Sequence, residues 1–397
     1  KFEAETLPNG TNILAARVEG SDIVDIHGSL MAGSAFDPRG QEGVAEATAR
    51  LLMRGTKKRS QKELSQALES RGIIFNISND VETVIFHGKC RAEDFETLLK
   101  LTAEILFEPS FQSEEVGRVK GDIVTNIAIE EDDTRSMAEK RFLELIFPRG
   151  HPYGRDPLGS LESVKRLERE EIVDYHERHY SPRTLILAAA GPFALKEIMQ
   201  KIPRTLQQKE EGREKEVIPR PGAPPTAMNK AVPMAHKSQV DVAYGCSAIP
   251  RSHPDYYALR MADLILGGPS FALGSRLMKN LRDRDGLAYY AFSGLVPLTS
   301  GGYWYAFAGV SPANLRKAVK GIQAEITAIL ENGVDTDELR RAKTNQVGRL
   351  AMVMETLSGV SQILREIAYF NLGTDYLLRY PEILNALTLD DVLNATR

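Results

Sequence analysis

Two cysteines, Cys90 and Cys246, are all that 397 residues contain, one in each half of the chain. That count excludes a disulfide framework and a cysteine-based structural zinc site. Long apolar runs are missing as well: the longest, Leu185 to Ala190, is far too short to span a bilayer. There is no basic excess, since 50 Lys and Arg face 54 Asp and Glu for a net charge of −4. Neither nucleic acid nor an anionic membrane is therefore an expected partner. No Gly-x-Ser-x-Gly elbow occurs, and neither cysteine has a convincing histidine partner in sequence. The opening Lys1-Phe2-Glu3-Ala4 shows no signal-peptide pattern. That absence leaves the compartment unknown; a soluble protein is the expectation.

What remains is an ordinary globular composition, 42% apolar and 26% charged. One stretch stands apart: residues 207–227, QQKEEGREKEVIPRPGAPPTA, dense in charge, Pro and Gly, with little to bury. It reads as an exposed linker between residues 1–206 and 228–397. The two flanks repeat one pattern. Lys62 to Leu68 leads through Ser70-Arg71-Gly72-Ile73 into an alternating run from Phe75 to Ile85. Ser275 to Leu281 leads through Arg284-Asp285-Gly286-Leu287 into another, Tyr289 to Leu298. Gly72 and Gly286 fall where a helical period gives way to a strand period. Each half continues with a strand (Val84 to Cys90, Tyr303 to Val310) and an amphipathic helix (Phe95 to Leu106, Leu315 to Leu330). A second helix follows in each, Glu115-Val116-Gly117-Arg118 being echoed by Glu338-Leu339-Arg340-Arg341. The expected architecture is α+β: two homologous domains, each a mainly antiparallel sheet with helices on one face, forming a clamshell.

Several segments together resemble a known family. They are Leu7-Pro8-Asn9-Gly10, Ala32-Gly33-Ser34, Gly43-Val44-Ala45, Arg54-Gly55-Thr56, His151-Pro152-Tyr153-Gly154, Tyr180-Ser181-Pro182 and Gly286-Leu287-Ala288-Tyr289. In order and spacing they resemble the pitrilysin or insulinase-type zinc peptidases, and in style the mitochondrial processing peptidase and its bacterial relatives. Active members carry His-x-x-Glu-His on the helix after the Gly-Val-Ala match. Two His four residues apart lie on one helical face and grip one zinc, the Glu activates its water, and a carboxylate from a later helix completes the set.

This chain reads Glu46-Ala47-Thr48-Ala49-Arg50 across that motif. The resemblance places Glu46 at the first His, Ala49 at the base, Arg50 at the second His and Asn126 at the third ligand. All four roles are gone. Glu46 and Arg50 instead form a favourable i,i+4 ion pair, worth about 0.3–0.5 kcal/mol when exposed. The second half keeps what the family uses to hold substrate, because Arg282 and Tyr289 match its Arg/Tyr pair. A guanidinium and a phenol can donate to a peptide carbonyl and to the oxyanion that develops on it. On spacing alone, Arg282 is a solvated helix residue and Tyr289 a packed strand residue; the resemblance favours the substrate role.

The resemblance thus implies a subunit with no cofactor of its own, and it favours a bacterial cytoplasm or periplasm. A homologous His-x-x-Glu-His partner would supply the zinc, and the heterodimer would hydrolyse peptides. The rival reading is a scaffold or peptide-binding subunit like the core proteins of a respiratory complex. The Gly-rich stretch Gly267 to Gly274 is either a substrate-handling loop or a plain turn, and it lacks the Lys-Ser/Thr of a phosphate loop. His176 and His179, near Asp174 and Glu177, read as a surface pair on a charged helix. His27 and His87 read as isolated strand residues, and His151 as part of a structural turn.

Overall fold

A computed structural model describes residues 2–202, 206, 216–222, 226–268 and 274–397. Most of the expected linker and the centre of the Gly-rich stretch lie outside the described residues. The chain forms two compact units.

The first unit comprises residues 1–127, 155–218 and 352–374. Its sheet has six strands in the order β1-β2-β6-β3-β5-β4. They are β1 (Glu3–Thr6), β2 (Asn12–Arg17), β3 (Ile23–Leu30), β4 (Ile74–Asn79), β5 (Val84–Arg91) and β6 (Ile186–Gly191). All neighbours are antiparallel except β2 and β6. The alternating run expected from Phe75 to Ile85 is broken at residues 80–83, where a tight connection joins β4 to β5. Helices α1 (Val44–Leu51), α2 (Gln61–Glu69) and α3 (Phe95–Phe107) follow the expected positions. The apolar face of β3 packs toward α3: a Cβ on Gly88, opposite Ile26, would meet both Ile26 and Leu98. Along β3 the side chains alternate, so Asp25 and His27 share the opposite face. That face receives a helix from late in the chain, Leu357–Tyr369, which buries Val360, Leu364 and Ile367.

The second unit comprises residues 128–154, 219–351 and 375–397. Its sheet is antiparallel, in the order β7 (Val240–Ala248), β9 (Gly302–Val310), β8 (Ala288–Pro297). Ala306, Ala308 and Val310 point into a core shared with the helices Tyr256–Leu266 and Leu315–Asn332, through Leu264, Ala318 and Ile322. Tyr303, Tyr305 and Phe307 alternate with them and face the other way. There the helix Thr134–Ile146 lies on β7, with Phe142 edge-on to Tyr303 and the Arg135 guanidinium 5.9 Å from the centre of Phe307.

The two units share a run of elements, although one sheet has six strands and the other three, and neither unit keeps to the expected bounds of 1–206 or 228–397. Each unit carries a strand, two helical segments, two paired strands and a long helix. In each, a further helix from the other half of the sequence covers the second face of the sheet. Gly72 and Gly286 both adopt left-handed backbone, at φ +63° and +59°, where helix turns to strand.

Candidate functional site

Helix α1 carries the degenerate motif. Gly43, at φ +95°, turns the chain into it, and a Cβ there would stand 2.6 Å from the Leu158 carbonyl oxygen. The first turn is capped from a distance: Asp37 accepts from the Gly43 N–H at 2.7 Å and the Ala45 N–H at 3.0 Å. Asp37 is only 4% exposed. Burial pushes its carboxyl up to about 7, against the pull of those two hydrogen bonds.

One turn on, Arg50 Nε donates to Glu46 Oε1 at 2.6 Å. Assigned by its hydrogen-bonding surroundings, the Asn126 carboxamide turns its oxygen to Arg50 and accepts from Nη2 at 3.0 Å and Nη1 at 3.2 Å. The guanidinium is held between Glu46 and Asn126, the residues that the resemblance sets at the first and third ligand positions. Ala49, at the position of the base, is a buried methyl group. These residues do not fit a zinc ion. The one carboxylate is engaged by a fixed cation, no imidazole is present, and a second positive charge would be repelled.

In the second unit, Arg282 sits in a π-helical segment, Met278–Arg284. The widened turn closes around Gly286, with the Gly286 N–H donating to the Arg282 carbonyl at 3.1 Å and the Leu287 N–H to that of Leu281 at 2.8 Å. Leu281 points into the core and Arg282 outward to solvent. The Arg282 guanidinium has a single polar neighbour among the described residues, Met278 Sδ at 3.8 Å. Tyr289 stands at a β-bulge: Ala288 pairs with Val310 and Tyr290 with Gly309, so Tyr289 is the extra residue. It is 64% exposed, and its hydroxyl has no hydrogen-bond partner among the described residues. Both side chains of the Arg/Tyr pair thus project from backbone irregularities, a π-turn and a bulge, of the kind that re-aim side chains at functional positions. On the preceding helical turn, Arg276 grips Glu338 with two hydrogen bonds of 2.8 and 2.6 Å.

The other histidines fall elsewhere than expected. His176 and His179 are buried, not a surface pair: His176 Nε2 meets the Leu106 carbonyl at 2.8 Å and stacks on Tyr180, while His179 lies against Tyr175. The charged character of their helix hid the apolar face they belong to. His151 is structural, as expected, with Nε2 3.0 Å from the Pro219 carbonyl. His27 and His87 are not isolated. They are opposite one another in the β3/β5 register, their rings stacked at 4.3 Å, and both face Asp25. Burial alone would raise the Asp25 carboxyl, but hydrogen bonds from His27, His87 and Ser361 outweigh it and hold the group below its ordinary range. A β3 residue two places from another always shares its face, so the Asp25/His27 pairing was readable; the meeting with His87 required the register.

Residues 17–155 match the family model described as "Insulinase (Peptidase family M16)", and residues 166–346 that of the "Peptidase M16 inactive domain". The chain belongs to the M16 peptidase family. An uncharacterized zinc protease of Rickettsia felis is 23% identical, over 99% of this chain and 93% of its own length. The beta subunit of the bovine mitochondrial-processing peptidase is 24% identical, over 79% of this chain and 64% of its own length. Among solved structures, an M16 inactive domain from Pseudomonas fluorescens superposes with a TM-score of 0.91 at 22% identity, covering all of this chain and 94% of that one. A protease from Helicobacter pylori gives 0.90 at 20% identity, covering 100% and 96%. No helix among the described residues is long and apolar enough to cross a membrane.

Proposed function

We propose that this chain is the non-zinc-binding subunit of a heterodimeric zinc metallopeptidase, and that Arg282 and Tyr289 are its contribution to peptide hydrolysis. One contrast carries the reading. The motif that would hold zinc is filled by its own guanidinium, while the two substrate-directed donors remain exposed on irregular backbone. A homologous His-x-x-Glu-His subunit supplies the metal. From this chain, the Arg282 guanidinium and the Tyr289 hydroxyl donate to the carbonyl oxygen of the bound peptide and to the charge that grows on it. Hydrogen bonds that strengthen as charge develops lower the barrier without tightening ground-state binding.

The test is reconstitution with a His-x-x-Glu-His homologue encoded in the same genome. The chain alone should hydrolyse no peptide and the mixture should. Arg282→Ala and Tyr289→Phe should each depress turnover by about 10²–10³, with KM changed far less. Variants that pair normally and turn over like the wild type would replace this reading with that of a scaffold subunit.

A further inference from the structure

A second cluster of ligating side chains lies in the first unit, away from the degenerate motif. Asp25 and His27 point from one face of β3, and His87 joins them from the facing position on β5. Asp25 is fully buried, and His27 and His87 are 12% and 28% exposed at the side chain, so solvent reaches the cluster through the imidazoles. His27 Nδ1 lies 3.3 Å from Asp25 Oδ1, and His87 Nε2 lies 3.0 Å from Asp25 Oδ2. One ligand atom from each residue falls within 4.8 Å of the other two. Ligands held about 2.0–2.1 Å from one tetrahedral ion are themselves separated by roughly 3.4 Å. The three groups are therefore already close to coordination spacing.

Ser361, from the helix that covers this face, donates to Asp25 Oδ1 at 2.7 Å and stands 2.9 Å from His27 Nδ1. It has the place of an outer partner, holding the Oδ1 oxygen that also faces His27 while Oδ2 is turned toward His87.

We propose that Asp25, His27 and His87 form a binding site for one divalent cation of the zinc class, built on β3 and β5 and braced by Ser361. Two imidazoles and a carboxylate select such an ion over magnesium or calcium, which take oxygen ligands. Without metal, His27 carries its proton on Nδ1 and shares that hydrogen bond between Ser361 Oγ at 2.9 Å and Asp25 Oδ1 at 3.3 Å. With metal, that ring moves to the Nε2–H tautomer and frees Nδ1 as the ligand, while His87 binds through Nε2. Three protein ligands leave a fourth position on the exposed side for water. The ion ties two strands to a face that is closed by residues more than three hundred positions later in sequence, so it acts on the closure of this unit and not on peptide hydrolysis.

The experiment is equilibrium dialysis of the metal-stripped full chain against zinc chloride alone, with metal analysis. One zinc per chain is expected, with affinity reduced at least tenfold in His27→Ala and in His87→Ala and unchanged in Glu46→Ala. An absence of bound zinc in the wild type overturns the site, as does equal binding by the histidine variants. Histidine acylation of the wild-type chain, mapped by mass spectrometry, needs no variant. Zinc should protect His27 and His87 but leave His253 reactive. Equal labelling of all three with and without zinc overturns the proposal even where a variant does not fold.

Discussion

Replacing Asp37 with Asn tests how the helix bearing the degenerate motif is anchored. The Asp37 carboxyl is raised from 3.8 to about 7 in the folded chain by burial. The unfolded chain loses this proton first as the pH rises, so between the two values the folded state binds more protons and stability falls with increasing pH. Across the whole window the loss is about 4 kcal/mol, and roughly 2–3 kcal/mol of it falls between about pH 5 and about pH 8. Above about 7 both states are ionised and the loss is complete. Asn cannot ionise, and since different carboxylate oxygens meet the Gly43 and Ala45 N–H groups, its NH2 must face one of them. That leaves a buried donor unmet at a cost of about 1–3 kcal/mol, independent of pH. Urea unfolding of both proteins at the two pH values isolates the ionisation, because every other titrating group cancels in the difference. Asp37→Asn should be the weaker protein at about pH 5 and should recover about 2–3 kcal/mol relative to the wild type by about pH 8. Parallel stabilities, agreeing to within about 0.5 kcal/mol at both values, would refute the claim that a buried carboxylate caps this helix.

Two further perturbations address the frame around the site. Gly43→Ala and Gly286→Ala both force a side chain onto left-handed backbone, but only Gly43 also faces a carbonyl 2.6 Å away, while Gly286 has open space. Gly286→Ala should cost about 1–2 kcal/mol by urea unfolding and Gly43→Ala clearly more; equal costs would count against the close approach at Leu158. Asp263 is buried and binds Arg260 at 2.9 Å, Ser293 Oγ at 2.8 Å and the indole N–H of Trp304 at 3.1 Å. Asp263→Ala should destabilise the chain by about 3–5 kcal/mol, and the emission of Trp304, the single tryptophan, should report the same transition; a cost below about 1 kcal/mol would show that the network is not what holds that core.

The elements legible in the sequence were those governed by local period. Gly72 and Gly286 marked both helix-to-strand turns because a left-handed residue there has few alternatives to glycine. The Glu46/Arg50 pair followed from helical spacing. The Asn126 carboxamide that completes the clamp was placed by family resemblance, since nothing local links it to α1. Three features were beyond local reading. The bulge that isolates Tyr289 depends on the partner strand, and the π-turn at Arg282 on packing around Leu281. The burial of His176 and His179 depends on which side of a charged helix meets the core.

The helices 134–146 and 357–369 have a consequence for how the chain is made. The first unit's early residues, 1–127 and 155–218, lack the piece that covers the Asp25 face of their sheet, and roughly 130 residues must still be synthesised before 352–374 arrives. At about 5–20 residues per second that is on the order of 10 s with an uncovered sheet face in a nascent chain. A cut within residues 207–227 would likewise give each fragment a helix that belongs to the other's unit. The two fragments would be insoluble apart and would have to be produced together, each completing its partner's sheet.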